Sequence, residues 1–126
     1  MEANEITGQI VDSAMKMHMA LGPGLMERAY EACLSYELRK RGLRVEPQVI
    51  LPVRYDGKMI DLGLRLDLLV ENEVIVELKS VEKIAPLHEA QLLSYLRMGN
   101  KRFGLLINFN VIYLKDGIKR MVSDYL

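Results

Sequence analysis

The feature that most constrains this chain is a pair of apolar runs separated by three polar residues. The runs are Leu64-Arg65-Leu66-Asp67-Leu68-Leu69-Val70 and Val74-Ile75-Val76-Glu77-Leu78-Lys79-Ser80, with Glu71-Asn72-Glu73 between them. Both are rich in leucine and β-branched residues, so they read as strands joined by a tight turn. Alternation along a strand sets Val74, Val76 and Leu78 on one face and Ile75, Glu77 and Lys79 on the other. A three-residue loop pairs Val70 with Val74 and places Asp67 across from Glu77. A two-residue loop would send the two carboxylates to opposite faces. Such loops favour glycine at the left-handed position, and Asn72 is the best substitute available. The expected register therefore gathers Asp67, Glu77 and Lys79 on one face.

Facing carboxylates destabilise a sheet, and charged side chains in an apolar strand are costly unless they pair or bind something. A divalent cation resolves the conflict, since Mg²⁺ is typically held by one or two carboxylates. The hairpin alone is equally compatible with a structural arrangement, in which Lys79 neutralises Glu77 and Asp67 caps a strand on a solvated face.

A chain of 126 residues is expected to form one domain, residues 1–126, with a core that needs no disulfide staples. Half of it is apolar, which argues against disorder. Cys33 is the sole cysteine, so a disulfide framework and a cysteine-based metal site within one chain are excluded; it reads as inert core. The first residues carry no basic region leading into an apolar run. No apolar stretch approaches the ~18 residues of a membrane span. A cytoplasmic protein with no membrane partner is expected. Net charge is zero, but residues 1–37 hold Lys16 and Arg28 against Glu2, Glu5, Asp12, Glu27, Glu31 and Glu37. The remainder is correspondingly basic, so any basic face is local and long-range steering is weak.

Ile6, Ile10, Ala14, Met17 and Leu21 recur at helical spacing and predict a first helix over about 4–20, ended by Gly22-Pro23-Gly24. His18 on this helix reads as a packed residue without chemistry. A second helix is expected from near Leu25 to Arg41, with Leu25, Ala29, Cys33, Leu34 and Leu38 as its apolar set. Glu27 in its first turn and Arg39, Lys40 and Arg41 in its last suit the helix dipole for structural reasons. Strands over about 48–55 and 58–70 flank Asp56-Gly57, a hairpin signal, with a bend at Gly63. Together with 74–80 they form an antiparallel meander. Pro86 opens a third helix, closed by Gly99-Asn100, with Leu92, Leu93 and Leu96 buried and Gln91 and Tyr95 on an adjoining face. Phe103 to Phe109 reads as a strand buried on both faces and parallel to the Glu77 strand, because a helix connects them. Val111 to Leu114 and Ile118 to Val122, around Asp116-Gly117, read as a terminal hairpin.

Four separated features, taken in order, give the chain a known likeness. Gly24-Leu25-Met26-Glu27-Arg28-Ala29-Tyr30, Asp67, Glu77-Leu78-Lys79, and Gln91-Leu92-Leu93-Ser94-Tyr95 resemble the motifs of the PD-(D/E)XK nuclease superfamily and, within it, of the small bacterial GxxExxY family. The likeness runs from about Ile6 to Val122; Leu66 stands where many members have proline before the aspartate. The resemblance implies an α/β, restriction-endonuclease-like fold, a mixed central sheet flanked by helices. It also implies Mg²⁺- or Mn²⁺-dependent cleavage of phosphodiesters, in DNA sooner than RNA. By the same resemblance Asp67, Glu77, the Leu78 carbonyl and Glu27 would hold metal, and Lys79 would assist the attacking water. Gln91, Tyr95 and Tyr30 would support the site or the nucleic acid. The competing expectation is a catalytically inactive accessory module on the same scaffold. A homodimer is expected on size grounds, since so small a body has little surface to grip a duplex. Arg97, Lys101 and Arg102, or Lys115, Lys119 and Arg120, are candidate phosphate contacts, although most such residues are solvated surface.

Overall fold

A computed structural model describes residues 1–124. The chain runs α1 (Ala3–Leu21), α2 (Glu27–Lys40), β1 (Val45–Tyr55), β2 (Lys58–Val70), β3 (Val74–Lys79), α3 (Pro86–Met98), β4 (Phe103–Asn108), a 3₁₀ turn (Leu114–Gly117) and β5 (Ile118–Val122). The strands form one sheet in the order β1-β2-β3-β4-β5. All neighbours are antiparallel except β3 and β4, which the α3 crossover makes parallel. The fold is α/β, a five-stranded mixed sheet flanked by helices, consistent with the restriction-endonuclease-like architecture.

Strand alternation assigns the two faces. Val74, Val76, Leu78, Leu105 and Ile107 pack with Ile6, Ile10, Leu34 and Leu38 of α1 and α2. Ile75 and Leu106 pack with Leu92, Tyr95 and Leu96 of α3. The meander register is the expected one, with Val70 opposite Val74. Asn72 is left-handed at φ +55°, and Glu71 beside it also at +53°. The bend falls at Gly63, whose φ of +75° suits glycine alone, where the β1–β2 register shifts. His18 is buried with Nε2 3.1 Å from the Phe109 carbonyl, a packed role as expected. Cys33 is half-buried against the α1–α2 core.

Two expectations are corrected. The second helix begins at Glu27, so Leu25 lies before it and remains 39% exposed, while Tyr30 takes the buried position. The terminal hairpin does not form. Residues 114–117 make a 3₁₀ turn that buries Leu114, and β5 pairs antiparallel with β4, Phe103 opposite Val122. The Asp116-Gly117 turn signal was real, but β4 needed a partner on its far edge and Ile118–Val122 supplies it. No helix among the described residues is long and apolar enough to cross a membrane.

Beyond Lys79 the chain is fastened by Asn108 on the neighbouring strand. Its buried side chain donates to the Val81 carbonyl at 2.9 Å and accepts from the Val81 N–H at 3.1 Å and the Asn110 N–H at 3.2 Å. Asn108→Ala leaves those groups unmatched and is expected to cost about 1–3 kcal/mol, read as a shift in the urea midpoint without a change in slope. An unchanged midpoint would show that the fastening carries no stability.

Candidate active site

Direct pairing of β2 with β3 runs from Val70 opposite Val74 to Leu68 opposite Val76. Beyond that point carboxylates replace the backbone. The Asp67 N–H donates to Glu77 Oε1 at 3.0 Å, and the Leu78 N–H donates to Asp67 Oδ2 at 2.8 Å. Each side chain stands where a partner-strand carbonyl would otherwise be, so the strands part without orphaning these two amides. Within a strand the N–H and C=O of one residue point to the same side. The Leu78 carbonyl therefore faces the same gap as its N–H. The Lys79 carbonyl faces the other way and accepts from the Phe109 N–H at 3.0 Å.

The gap is flanked on both sides of the sheet. Toward α2, the residues Glu27, Arg28, Glu31, Gln48, Asp67 and Leu78 line a pocket of about 90 Å³. Toward α3, Gln91 Nε2 donates to the hydroxyl of buried Tyr95 at 3.1 Å, and Lys79 Nζ stands 3.5 Å from Gln91 Oε1. Asp67, Glu77, Lys79, Leu78, Gln91 and Tyr95 thus lie along one gap, and Glu27 shares the pocket with Asp67. Among the described residues the ion pairs join Lys16 and Lys40 to Glu37, Arg41 to Asp12 and Lys119 to Glu89. None lies at the gap, so Lys79 does not neutralise Glu77 by direct pairing.

Electrostatics at the gap favour bound positive charge. Burial, and then the Asp67 charge, push the Glu77 carboxyl up from an ordinary 4.5 to about 8. Burial also raises Asp67, against the Leu78 amide and the Lys79 charge, which oppose it. Glu31 is raised mainly by burial, and the Tyr95 phenol by burial and the charges of Glu77 and Asp67. The donor set, two carboxylates and a peptide carbonyl, is all oxygen and suits a hard divalent cation such as Mg²⁺ or Mn²⁺. Among the described residues no three His, Cys, Asp or Glu side chains are already grouped to hold an ion. Asp67 and Glu77 are turned onto backbone amides, and Glu27 stands exposed at the start of α2.

The loop that delivers Glu27 is clamped. Gly24 has φ +102°, open to glycine and strained for other residues. The Tyr30 hydroxyl donates to the Gly22 carbonyl at 2.6 Å and accepts from the Leu25 N–H at 3.2 Å. Its fully buried ring stacks on Phe109 at 4.4 Å. Just past β3, the Ser80 hydroxyl donates to the Leu25 carbonyl at 2.6 Å. Tyr30 therefore fastens this loop from the core and offers no surface for contact. Sequence reasoning missed Glu31 and Gln48. Glu31 had a findable signal, lying one helical turn after Glu27 on the same face.

The basic residues offered as phosphate contacts are largely engaged elsewhere. Lys101 Nζ donates to Asn72 Oδ1 at 3.1 Å, and the guanidinium groups of Arg102 and Arg120 lie 5.9 and 5.7 Å from the Phe103 ring centre.

Residues 4–121 match the family model of the PD-(D/E)XK nuclease superfamily. Among solved structures, the crystal structure of SSO0001 is similar, with a TM-score of 0.56 at 20% identity over 77% of this chain. The match covers 50% of that protein, so this chain spans about half its length, and the likeness speaks to the fold alone. No curated protein matches the sequence.

Because the Glu77 affinity for protons is higher folded than unfolded, its contribution to stability is fully present below about pH 4.5 and is lost as pH rises through about 8. Asp67 shifts in the same direction. In metal-free buffer the melting temperature is expected to fall between pH 5 and 8. Glu77→Gln should flatten that fall and raise the value at pH 8, by roughly 4–8 °C for each kcal/mol relieved. A wild-type profile that rises over this window would contradict the assignment. Tyr30→Phe removes the bond to Gly22 and should cost about 0.5–1.5 kcal/mol by denaturant titration.

Proposed function

The chain belongs to the PD-(D/E)XK nuclease superfamily, and from that premise we propose that it hydrolyses phosphodiester bonds in nucleic acid, DNA in preference to RNA, with Mg²⁺ or Mn²⁺. The observation that carries the proposal is the buried pair of Asp67 and Glu77, each accepting from a backbone N–H on the other side of the gap between parted strands, with Lys79 beside it. Within the superfamily, the Gly24-Glu27-Tyr30 spacing supports placing the chain in the GxxExxY family.

In this reading Asp67, Glu77 and the Leu78 carbonyl would hold the cation, with Glu77 deprotonated, while Glu27 would add negative charge from α2. The cation supplies Lewis acidity toward the phosphoryl oxygens and lowers the pKa of water. Lys79, with its ammonium group 3.5 Å from the Gln91 amide oxygen, orients the attacking water and helps it lose its proton. Gln91 and Tyr95, linked at 3.1 Å, fix the reach of Lys79 and line the path of the strand being cut. A homodimer is the proposed working unit on a duplex.

The test is cleavage of plasmid and single-stranded DNA by purified protein with Mg²⁺ or Mn²⁺. Glu77→Ala and Lys79→Ala are each expected to lower the rate by roughly 10²–10⁴-fold. Activity that survives both belongs to another site or a contaminant. Titration calorimetry should show a Mn²⁺ heat that Asp67→Asn abolishes, and Mn²⁺ at a hundred times its Kd should stabilise the protein by about 2.7 kcal/mol. No heat and no cleavage, with DNA also present, would favour the inactive accessory module.

A further inference from the structure

We propose that Gln48 is a positioning residue of the candidate active site, whose side-chain amide fixes the Asp67 and Glu31 carboxylates around the pocket between α2 and the parted strands. The proposal rests on the metal-dependent reading above and adds a residue that the superfamily motifs quoted above do not contain.

Three observations carry it. The first is position. Pro47 pairs with Leu68 and Val49 with Leu66, so Gln48 lies directly across from Asp67 on the neighbouring strand. The second is backbone conformation. Gln48 has φ +53° inside β1, an uncommon value for a residue with a side chain, and one that persists only where the surroundings enforce it. Both strands change face at this point. Val45, Leu68 and Val70 pack in the α1–α2 core, whereas Val49, Leu51, Leu64 and Leu66, which regular alternation would put with them, pack against α3. The left-handed residue is where β1 makes that change, and its side chain lines the pocket.

The third is chemistry. Gln48 Nε2 donates to Glu31 Oε1, and the same side chain lines the pocket with Asp67 and favours the charged form of that carboxylate. An amide nitrogen carries two hydrogens, so one group can hold two carboxylates and leave their other lone pairs free. It does so without changing the charge of the site. A lysine there would compete with a cation, and a glutamate would add a further negative charge.

The experiment compares wild type, Gln48→Ala, Gln48→Gly and Asp67→Asn by Mn²⁺ calorimetry, by melting without metal and by cleavage kinetics. Both Gln48 variants are expected to bind Mn²⁺ roughly 10–100-fold more weakly, with kcat reduced and KM for DNA little changed. The glycine variant should melt at or above the wild-type temperature, because glycine adopts this φ freely, so it keeps the test open if the alanine variant fails to fold. Wild-type Mn²⁺ affinity in the folded Gln48 variants, with or without a lowered melting temperature, would make the residue merely structural and overturn the proposal. If the Mn²⁺ heat vanishes in Asp67→Asn but is undiminished in both Gln48 variants, this proposal alone falls. A wild-type protein that takes no Mn²⁺ overturns both this proposal and the reading beneath it.

Discussion

The reciprocal bonds between Asp67 and Glu77 and each other's strands are the constraint on which the rest of the site depends. An antiparallel pair normally separates only where its amides find water, because an unmatched buried N–H is costly. At this point the two amides are satisfied by carboxylate oxygens, so the sheet opens in its interior. Glu77 is 4% exposed there, between two cores that close over both faces. The opening is what exposes the Leu78 carbonyl to the gap. Burial makes the pair acceptable only when it holds a proton or another positive charge. The structural bond and the proposed chemistry therefore draw on the same atoms.

Such an arrangement needs rigid surroundings, since a displacement of about 1 Å in a catalytic group costs a large factor in rate. β3 supplies Glu77, Leu78 and Lys79 from the middle of the sheet, held in parallel register by β4 along its whole length. Asn108 secures the chain just past its end. The α1–α2 loop is tied from within by Tyr30 and from the end of β3 by Ser80, the residue after it. The residues at the ends of the Gly24-Glu27-Tyr30 spacing have a mechanical explanation in this tie: glycine for a left-handed turn and tyrosine to bind the turn back. Glu27 then emerges at the first position of α2, beside Asp67.

Much of this was legible because loop length and alternation are discrete. Three polar residues between Val70 and Val74 leave one register that keeps both hydrophobic faces buried, and that register brings Asp67 level with Glu77 along the strands. The β3–α3–β4 crossover likewise fixed a parallel pair. The tail was misread because Asp116-Gly117 is a turn signal that does not say which strands it joins. Tertiary demand at the open edge of β4 decided that. Leu25 was misplaced in the core because periodicity cannot locate a helix start to better than a residue or two. Gln48 was invisible for a different reason. Nothing in Glu46-Pro47-Gln48-Val49 announces a left-handed glutamine, since the conformation goes with the change of face and with the bond to Glu31, which is remote in sequence. Its absence from the sequence reading is what a strained functional position should produce.

The charge distribution sets the order in which the proposed reaction could be assembled. The acidic residues of the first third include Glu27 and Glu31, which line the pocket with Asp67, so the bare site repels a phosphodiester. The basic residues give little long-range compensation, because net charge is zero and several cations are engaged by Asn72, Glu89 and the Phe103 ring. A divalent cation in the gap would offset two of these negative charges, and Lys79 and Arg28 would then bring the site close to neutrality. On the proposed reading, nucleic acid would bind productively only after the cation, and the raised proton affinity of Glu77 and Asp67 keeps the pair compatible with the fold until then.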